Sequence, residues 1–514
     1  MSLYRGPTYA ELITSALKRY ADRPFVSLGP DELTYAEVES ASSQILQALA
    51  DLGLARGSGF AVLSGNRPEA FFTVAAGLTL GGRYTMLNPF GSVEQHAFVV
   101  EDGEIDTLVF DPRVYEQHAA ELLGRASGIK RVLSLGPSSL AAHDLLAAAS
   151  EHSPCDLNPV PSEDDPAILQ YTSGTTGQPK GVILSHRAMA HGVLLLAAQW
   201  EWPSDVRFLA LTQLAQALLV PVMLRGGTAV LDSGLDPALI LKTIEQEQIT
   251  ATYAVPALIY ALLDHPESRA FDTSSLKLMV YASSPISPSR LAEAIERFGS
   301  IFMQVYGQTE ALFVTMLGRA DHDPDRPTRF GSCGRPLAGN EVRVLDVDGQ
   351  EAQPGEIGEV CIRGRVIMDG YWHQPGLTAD ALRNGWLHTG DLARRDIDGF
   401  ISIVDRKKDT IVSAGIEVYS REIEDVLASH ADVAAAAVFG VPDDADGERA
   451  MAVVVARPGY DPKLDELRSL VEAQKGVSLA AHSIEIVDAM PLTAAGKPDK
   501  QALRLSAVES AATS

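Results

Sequence analysis

Between two apolar segments, PAILQ and GVILS, the chain runs through YTSGTTGQPKGV, Tyr171 to Val182. Both flanks read as strands, so the turn between them joins strand to strand. A Walker A loop, Gly-x-x-x-x-Gly-Lys-Ser/Thr, instead leads straight into a helix whose N-terminus faces the phosphates. Here Gly174, Gly177 and Lys180 do not keep that spacing, and Gly181 stands where the hydroxyl residue belongs. The requirements of a polyphosphate site are met all the same. Glycines let backbone amides point inward, Thr172, Ser173, Thr175 and Thr176 supply hydroxyl donors, and Lys180 supplies charge. The plain alternative is a Gly-rich hairpin with solvated hydroxyls.

Around this turn, helical and strand patterns alternate. YAEVESASSQILQALADLGL puts Val38, Ile45, Leu46 and Leu49 on one helical face, and GFAVLSGN follows as a short apolar strand. PEAFFTVAAGLTLGG, SIFMQVYG and PALIYALLDH repeat the theme as helix, strand and helix. The expectation is α/β with largely parallel sheets. From about Gly331 the texture changes to short β-like runs with Asp-Gly turns, NEVRVLDVDGQE, GEVCIRG and GFISIVD, which predict a β-rich subdomain. The last hundred or so residues read as a separate α+β unit, with Ser420 as the cap of a helix that shares Ile423, Val426 and Leu427 on one face. The boundary is expected in the charged run VDRKKD, and the alanine-rich LSAVESAATS is expected to be a frayed tail.

At 514 residues the chain is too long for one ordinary domain, and 46% apolar with 21% charged residues is globular composition. A net charge of −25 argues against nucleic acid and anionic membranes as partners, while leaving room for a local basic pocket. Three scattered cysteines, Cys155, Cys333 and Cys361, fit a reducing compartment and no cysteine-based metal site. The N-terminus lacks a signal-type apolar core and no stretch is of spanning length, so a cytoplasmic protein with no membrane span is expected.

The turn, with YGQTE (Tyr306 to Glu310), GWLHTGDL (Gly385 to Leu392), DRKKD (Asp405 to Asp409) and PLTAAGKPDK (Pro491 to Lys500), closely resembles the adenylate-forming superfamily of acyl- and aryl-CoA synthetases, nonribosomal-peptide adenylation domains and beetle luciferases. Five motifs in order over nearly the whole chain make the resemblance specific, and a fatty-acid or aryl-acid CoA ligase is its best match. It implies an N-terminal domain over 1–405, built of two α/β subdomains and a β-barrel-like subdomain. A small mobile α+β domain over 406–514 would pivot near Lys408. It further implies ATP, Mg²⁺ and coenzyme A, and a reaction in which a carboxylate attacks the α-phosphate of ATP before a thiolate displaces AMP. On this likeness Lys497, Thr175 and Glu310 are catalytic, with Glu310 also holding Mg²⁺. ATP or AMP is bound by Thr172, Ser173, Gly174, Thr176, Gly177, Lys180, Ser283, Ser284, Gln304, Tyr306, Gly307, Thr309, Asp391 and Arg406. Within that set Tyr306 would stack on adenine, Gln304 would bond its amino edge, Thr309 would touch the α-phosphate, and Asp391 would grip the ribose. Ala414 and Gly415 would line the CoA thiol tunnel.

The acid pocket is expected at Gln213, Tyr253, Ala282 and Val305. Gln213 stands where many relatives carry an aromatic or histidine gate, and Val305 where many have glycine, so a shortened or bent cavity is expected. SAGIEV and SLAAH also depart from the commoner segments on the thioester side. LTQLAQ offers no Asp for an α-amine, which disfavours an amino-acid substrate. The partners implied are a small carboxylic acid, ATP and CoA, with a homodimer as one assembly. Two other readings stand beside the acid–CoA ligase: an acyl- or aryl-AMP ligase that loads a carrier-protein phosphopantetheine, and a non-catalytic nucleotide-binding protein. The second has no need of a transition-state lysine such as Lys497.

Overall fold

The computed structural model describes residues 6–172, 179–211, 218–232, 234–413, 416–443, 447–475, 483–493 and 497–513. Apolar runs such as Leu278–Tyr281 are buried along their whole length, the signature of strands covered on both faces. They assemble a sheet in which Pro24–Leu28, Thr228–Leu231, Arg207–Ala210, Ala251–Ala254, Leu278–Tyr281 and Phe302–Tyr306 pair in parallel in that order. Antiparallel strands close its ends. A second large sheet carries Gly59–Leu63 and its parallel neighbours, and it ends in the antiparallel hairpin Pro166–Thr172/Lys180–Ser185 with Gly370–Tyr371 on its edge. Thr172 pairs with Lys180, so the glycine-rich turn does join strand to strand, as its flanks predicted.

The helical faces also follow the pattern. In Tyr35–Asp51, capped by the Thr34–Glu37 box, Val38, Ile45 and Leu49 are buried and Leu46 partly so. One apolar cluster runs through elements of both large sheets, which makes them one packed body. A third, antiparallel sheet holds Glu341–Leu345, Ile357–Arg363, Trp386–Arg395 and Ile401–Arg406. Its Asp-Gly turns place Gly349 and Gly399 at φ of 76° and 85°, where a side chain would be strained.

Gly447–Ala456 is the central strand of the smaller C-terminal sheet, with Val433–Asp443 along its whole length, and the helices Ser420–Ala428, Leu464–Lys475 and Lys500–Thr513 pack on this sheet. The fold is thus the expected α/β body followed by a small α+β one. Two expectations are corrected. Ser420 lies inside its helix after the cap residue Tyr419, and its hydroxyl accepts from Lys500 Nζ at 2.6 Å. The alanine-rich end is helical, because Leu503 packs into the apolar cluster of Phe439 and Val453. The two bodies touch through Arg457–Glu293 at 2.9 Å and a Ser289 hydroxyl donating to the Ala428 carbonyl at 3.3 Å. Among the described residues no helix is long and apolar enough to cross a membrane.

The turn after Phe302–Tyr306 admits only glycine at 307, since a Cβ there would stand 1.6 Å from the Leu312 carbonyl oxygen. Gly307→Ala is expected to cost about 3 kcal/mol, the upper range for forcing atoms into filled space. Gly376→Ala, where a Cβ meets nothing within 4 Å in a helix, serves as the neutral control. Equal thermal midpoints for the two variants would show that the turn yields without cost.

Candidate active site

Asp391 lies in the strand Trp386–Arg395, where pairing sets it opposite Arg406. Its side chain is only 6% exposed, and it accepts a hydrogen bond from the Tyr306 hydroxyl at 2.7 Å while Arg406 Nε stands 3.1 Å away. Tyr306 ends the parallel strand Phe302–Tyr306, on the carboxyl edge where open α/β sheets bind ligands. Burial and the Asp391 charge hold its phenol well above the ordinary range, so it stays a donor. The preceding turn is pinned by the Gly390 amide, which donates to Glu359 at 3.0 Å. Gln304, two residues before Tyr306, is buried, and its Oε1 has no partner among the described residues. A buried carbonyl left unpaired at such an edge calls for a ligand N–H.

Glu310 stands beyond Gly307 and the half-buried Thr309. Its carboxylate accepts from the Tyr371 hydroxyl at 2.9 Å, and its backbone carbonyl accepts from the Met368 amide at 2.8 Å. Lys180 Nζ lies 5.4 Å from the centroid of the Tyr371 ring, which joins the glycine-rich hairpin to Glu310.

Lys497 arrives from the other body in a short turn, where Leu492 bridges Pro498 and the Thr493 amide donates to the Lys497 carbonyl at 2.7 Å. Burial pulls its ammonium down to about 8, and the Arg406 and Lys408 cations add to that, against the opposing pull of Asp391 and Glu310. These four groups are thus its electrostatic neighbours. Lys408 itself is exposed in the turn that follows Arg406.

On the acid side, Tyr253, Ala282 and Val305 lie at the carboxyl ends of three adjacent parallel strands. Val305 is 2% exposed within the main apolar cluster, opposite Met316. The Tyr253 and Ser283 hydroxyls are 2.8 Å apart, and Ser283 holds a φ of 76°, a conformation that a serine keeps only where its surroundings enforce it. Ser284 follows it, half-buried. Ser173, Gly174, Thr175, Thr176, Gly177, Gln213, Ala414 and Gly415 lie outside the described residues, as does the segment 478–482.

Tyr371 and Glu359 were not foreseen. Each meets its partner across a long stretch of chain rather than through a local motif, Glu359 from the strand beside that of Gly390 and Tyr371 from the strand beside that of Val182. Glu359, Cys361 and His388 also converge, but the Arg383 guanidinium sits 2.8 Å from the same His388 Nδ1 that faces the other two, so that cluster already holds its cation.

Sequence comparison matches residues 13–372 to the model of AMP-binding enzymes and residues 422–497 to that of the AMP-binding enzyme C-terminal domain. The chain belongs to the AMP-binding enzyme family. It meets the expectation of an ATP-dependent acid–CoA ligase that works through an acyl-adenylate, with ATP, Mg²⁺ and CoA as its small-molecule requirements. The medium/long-chain-fatty-acid–CoA ligase FadD8 of Mycobacterium tuberculosis is 42% identical over 520 residues, covering 98% of this chain and 90% of the relative. A feruloyl-CoA synthase of Amycolatopsis is 35% identical over 475 residues, covering 91% and 93%. Among solved structures, the amide bond synthetase McbA of Marinactinospora thermotolerans superposes with a TM-score of 0.88 at 35% identity, covering 96% of this chain and 99% of that one.

The electrostatics of Lys497 can be read directly. With lysine Cε carbons labelled, Lys497 is expected to titrate near pH 8 in the free enzyme. Removing the adjacent cation with Arg406→Gln should raise that midpoint toward the ordinary lysine range, since a like charge disfavours protonation. A midpoint already in the ordinary range would mean that the turn does not enter the site.

Proposed function

We propose that this acid–CoA ligase activates medium- to long-chain fatty acids in the cytoplasm, with Lys497 as the cation of its first half-reaction. The observation that carries the reading is the convergence of Lys497 on the Asp391–Arg406–Glu310 group from a separate body of the chain. A nucleotide fits what is there. The Asp391 carboxylate can take both ribose hydroxyls, the unpaired Gln304 Oε1 can accept from the adenine amino group, and Tyr306 offers its ring beside them. The half-buried Glu310 carboxylate beside Lys180 suits a hard cation on a phosphate chain, and Mg²⁺ bound there supplies charge neutralisation.

The chemistry then asks two anions to react. The acid carboxylate oxygen attacks the α-phosphorus, the bond to the bridging oxygen of the β-phosphate breaks, and pyrophosphate leaves. Lys497 supplies the charge that holds carboxylate and α-phosphate together as that bond forms. In the second step the CoA thiolate attacks the acyl carbon and AMP leaves with its oxygen. We place the domain boundary at 405/406 and the pivot at Lys408, so that turning the small body withdraws Lys497 and brings up the Ala414–Gly415 segment for the thiol. The acid side is apolar: Val305 is buried in the main apolar cluster opposite Met316, and Ala282 packs against the same cluster. An aliphatic chain suits such a lining, as does the fatty-acid specificity named for the 42% identical relative. The free thiols of Cys155, Cys333 and Cys361 fit a reducing cytoplasm.

Pyrophosphate release over straight-chain acids of graded length and ferulate, with and without CoA, tests the substrate class. A profile led by ferulate would overturn it. Lys497→Ala is expected to lower adenylation about a hundred- to a thousand-fold, while thioester formation from pre-made acyl-AMP survives. The ammonium is the working form and titrates at about 8 in the free enzyme, so kcat/KM for adenylation should fall as pH rises through about 8. Equal loss of both half-reactions in the variant would refute the assignment.

A further inference from the structure

The strand Gly370–Tyr371 pairs with Val182 and Ile183, on the strand that begins at Lys180. Tyr371 therefore rises beside the glycine-rich hairpin, where its ring lies under Lys180 and its hydroxyl reaches Glu310. The segment around it is fastened at both ends. The Met368 amide donates to the Glu310 carbonyl at 2.8 Å, the Trp372 amide to the Gly181 carbonyl at 2.7 Å, and the Trp372 indole to the Asp102 carbonyl at 2.9 Å. Arg83 stacks on that indole at 3.9 Å.

We propose that Tyr371 is a positioning residue for the metal and triphosphate half of the site, orienting the Glu310 carboxylate by its hydroxyl and Lys180 by its ring. The inference rests on the reading of Glu310 as the metal-side carboxylate. One oxygen of Glu310 is occupied by the Tyr371 donor, which fixes the carboxylate plane and leaves the other oxygen to a cation. A carboxylate on a free rotor would have to be ordered each time MgATP binds. Held in place beforehand, it meets the metal at no such cost.

The bland alternative is an aromatic brace on a sheet edge, and metal linkage separates the two. Titration calorimetry of ATP, without acid or CoA, is run in Mg²⁺ and in EDTA on wild type, Tyr371→Phe and Glu310→Gln. Phenylalanine keeps the ring and its contact with Lys180 and deletes only the hydroxyl. The expected result is that Tyr371→Phe weakens MgATP binding about tenfold, the lower end of what losing a ligand's supporting hydrogen bond costs, while metal-free ATP binds as in wild type. Weakening of both forms alike, with a lowered thermal midpoint, would make Tyr371 a brace and overturn the inference. So would unchanged MgATP binding in Tyr371→Phe when Glu310→Gln abolishes the metal dependence. If Glu310→Gln leaves the metal dependence intact, the underlying reading of Glu310 falls, and this inference with it.

Discussion

The Asp391 carboxylate is the knot of the molecule. It receives a phenol from the carboxyl edge of the large parallel sheet and a guanidinium from the strand that leads into the small body, while its own strand belongs to the antiparallel sheet. Two sheets, the parallel one that carries Tyr306 and the antiparallel one that carries both Asp391 and Arg406, must therefore be in register before that one buried anion is satisfied. A buried carboxylate with a single partner would be costly, whereas one held by a neutral donor and a cation, with an edge toward solvent, keeps capacity for further donors. The rigidity of the sheets is what holds the group in place instead of letting it collapse onto the nearest amide.

Around that knot the chain inverts its own electrostatics. The whole molecule carries −25, yet Lys180, Arg406, Lys408 and Lys497 gather in one region. Burial, and after it the Arg406 and Lys408 cations, depress the Lys497 ammonium against the pull of Asp391 and Glu310, as in sites arranged to handle charge. A net negative surface also slows the approach of negatively charged substrates, so the local cation cluster has to provide the attraction at short range. The arrangement is destabilising for the empty fold and favourable for the loaded one, as expected of a site organised for charge that develops in the reaction.

The parts of this design that were legible in the sequence are those carried by contiguous residues. The strands on either side of the glycine-rich turn, the Gly-Asp pair at 390 and 391 and the Tyr306–Glu310 run each state their local conformation, and the alternating patterns mark the sheets around them. What stayed hidden depends on contacts between residues far apart in the chain. Tyr371 meets Glu310 across 61 positions, and Ser420 looked like a helix cap because Lys500, its partner 80 residues on, leaves no trace beside it. The terminal helix was missed for a related reason. Alanine and serine content says little about order, and one buried residue, Leu503, is enough to dock the segment.

The interface between the two bodies follows from the same logic of placement. Its described polar contacts include Arg457 on Glu293, Ser289 on the Ala428 carbonyl, Arg394 on Glu422 and the buried Arg421 on the Ile403 carbonyl, and Glu293 also serves the buried Arg290. Within the small body, by contrast, Lys500 is tied to both Ser420 and Glu424, and Ser420 in turn donates its amide to Asp405 at the end of the strand before the turn. The helix that follows Lys497 is thus fastened to the first helix of the small body. In the rotation proposed for the small body, the contacts that cross between residues 405 and 406 have to break, the buried bond of Ser420 to Asp405 among them, while Lys500 keeps its bonds to Ser420 and Glu424.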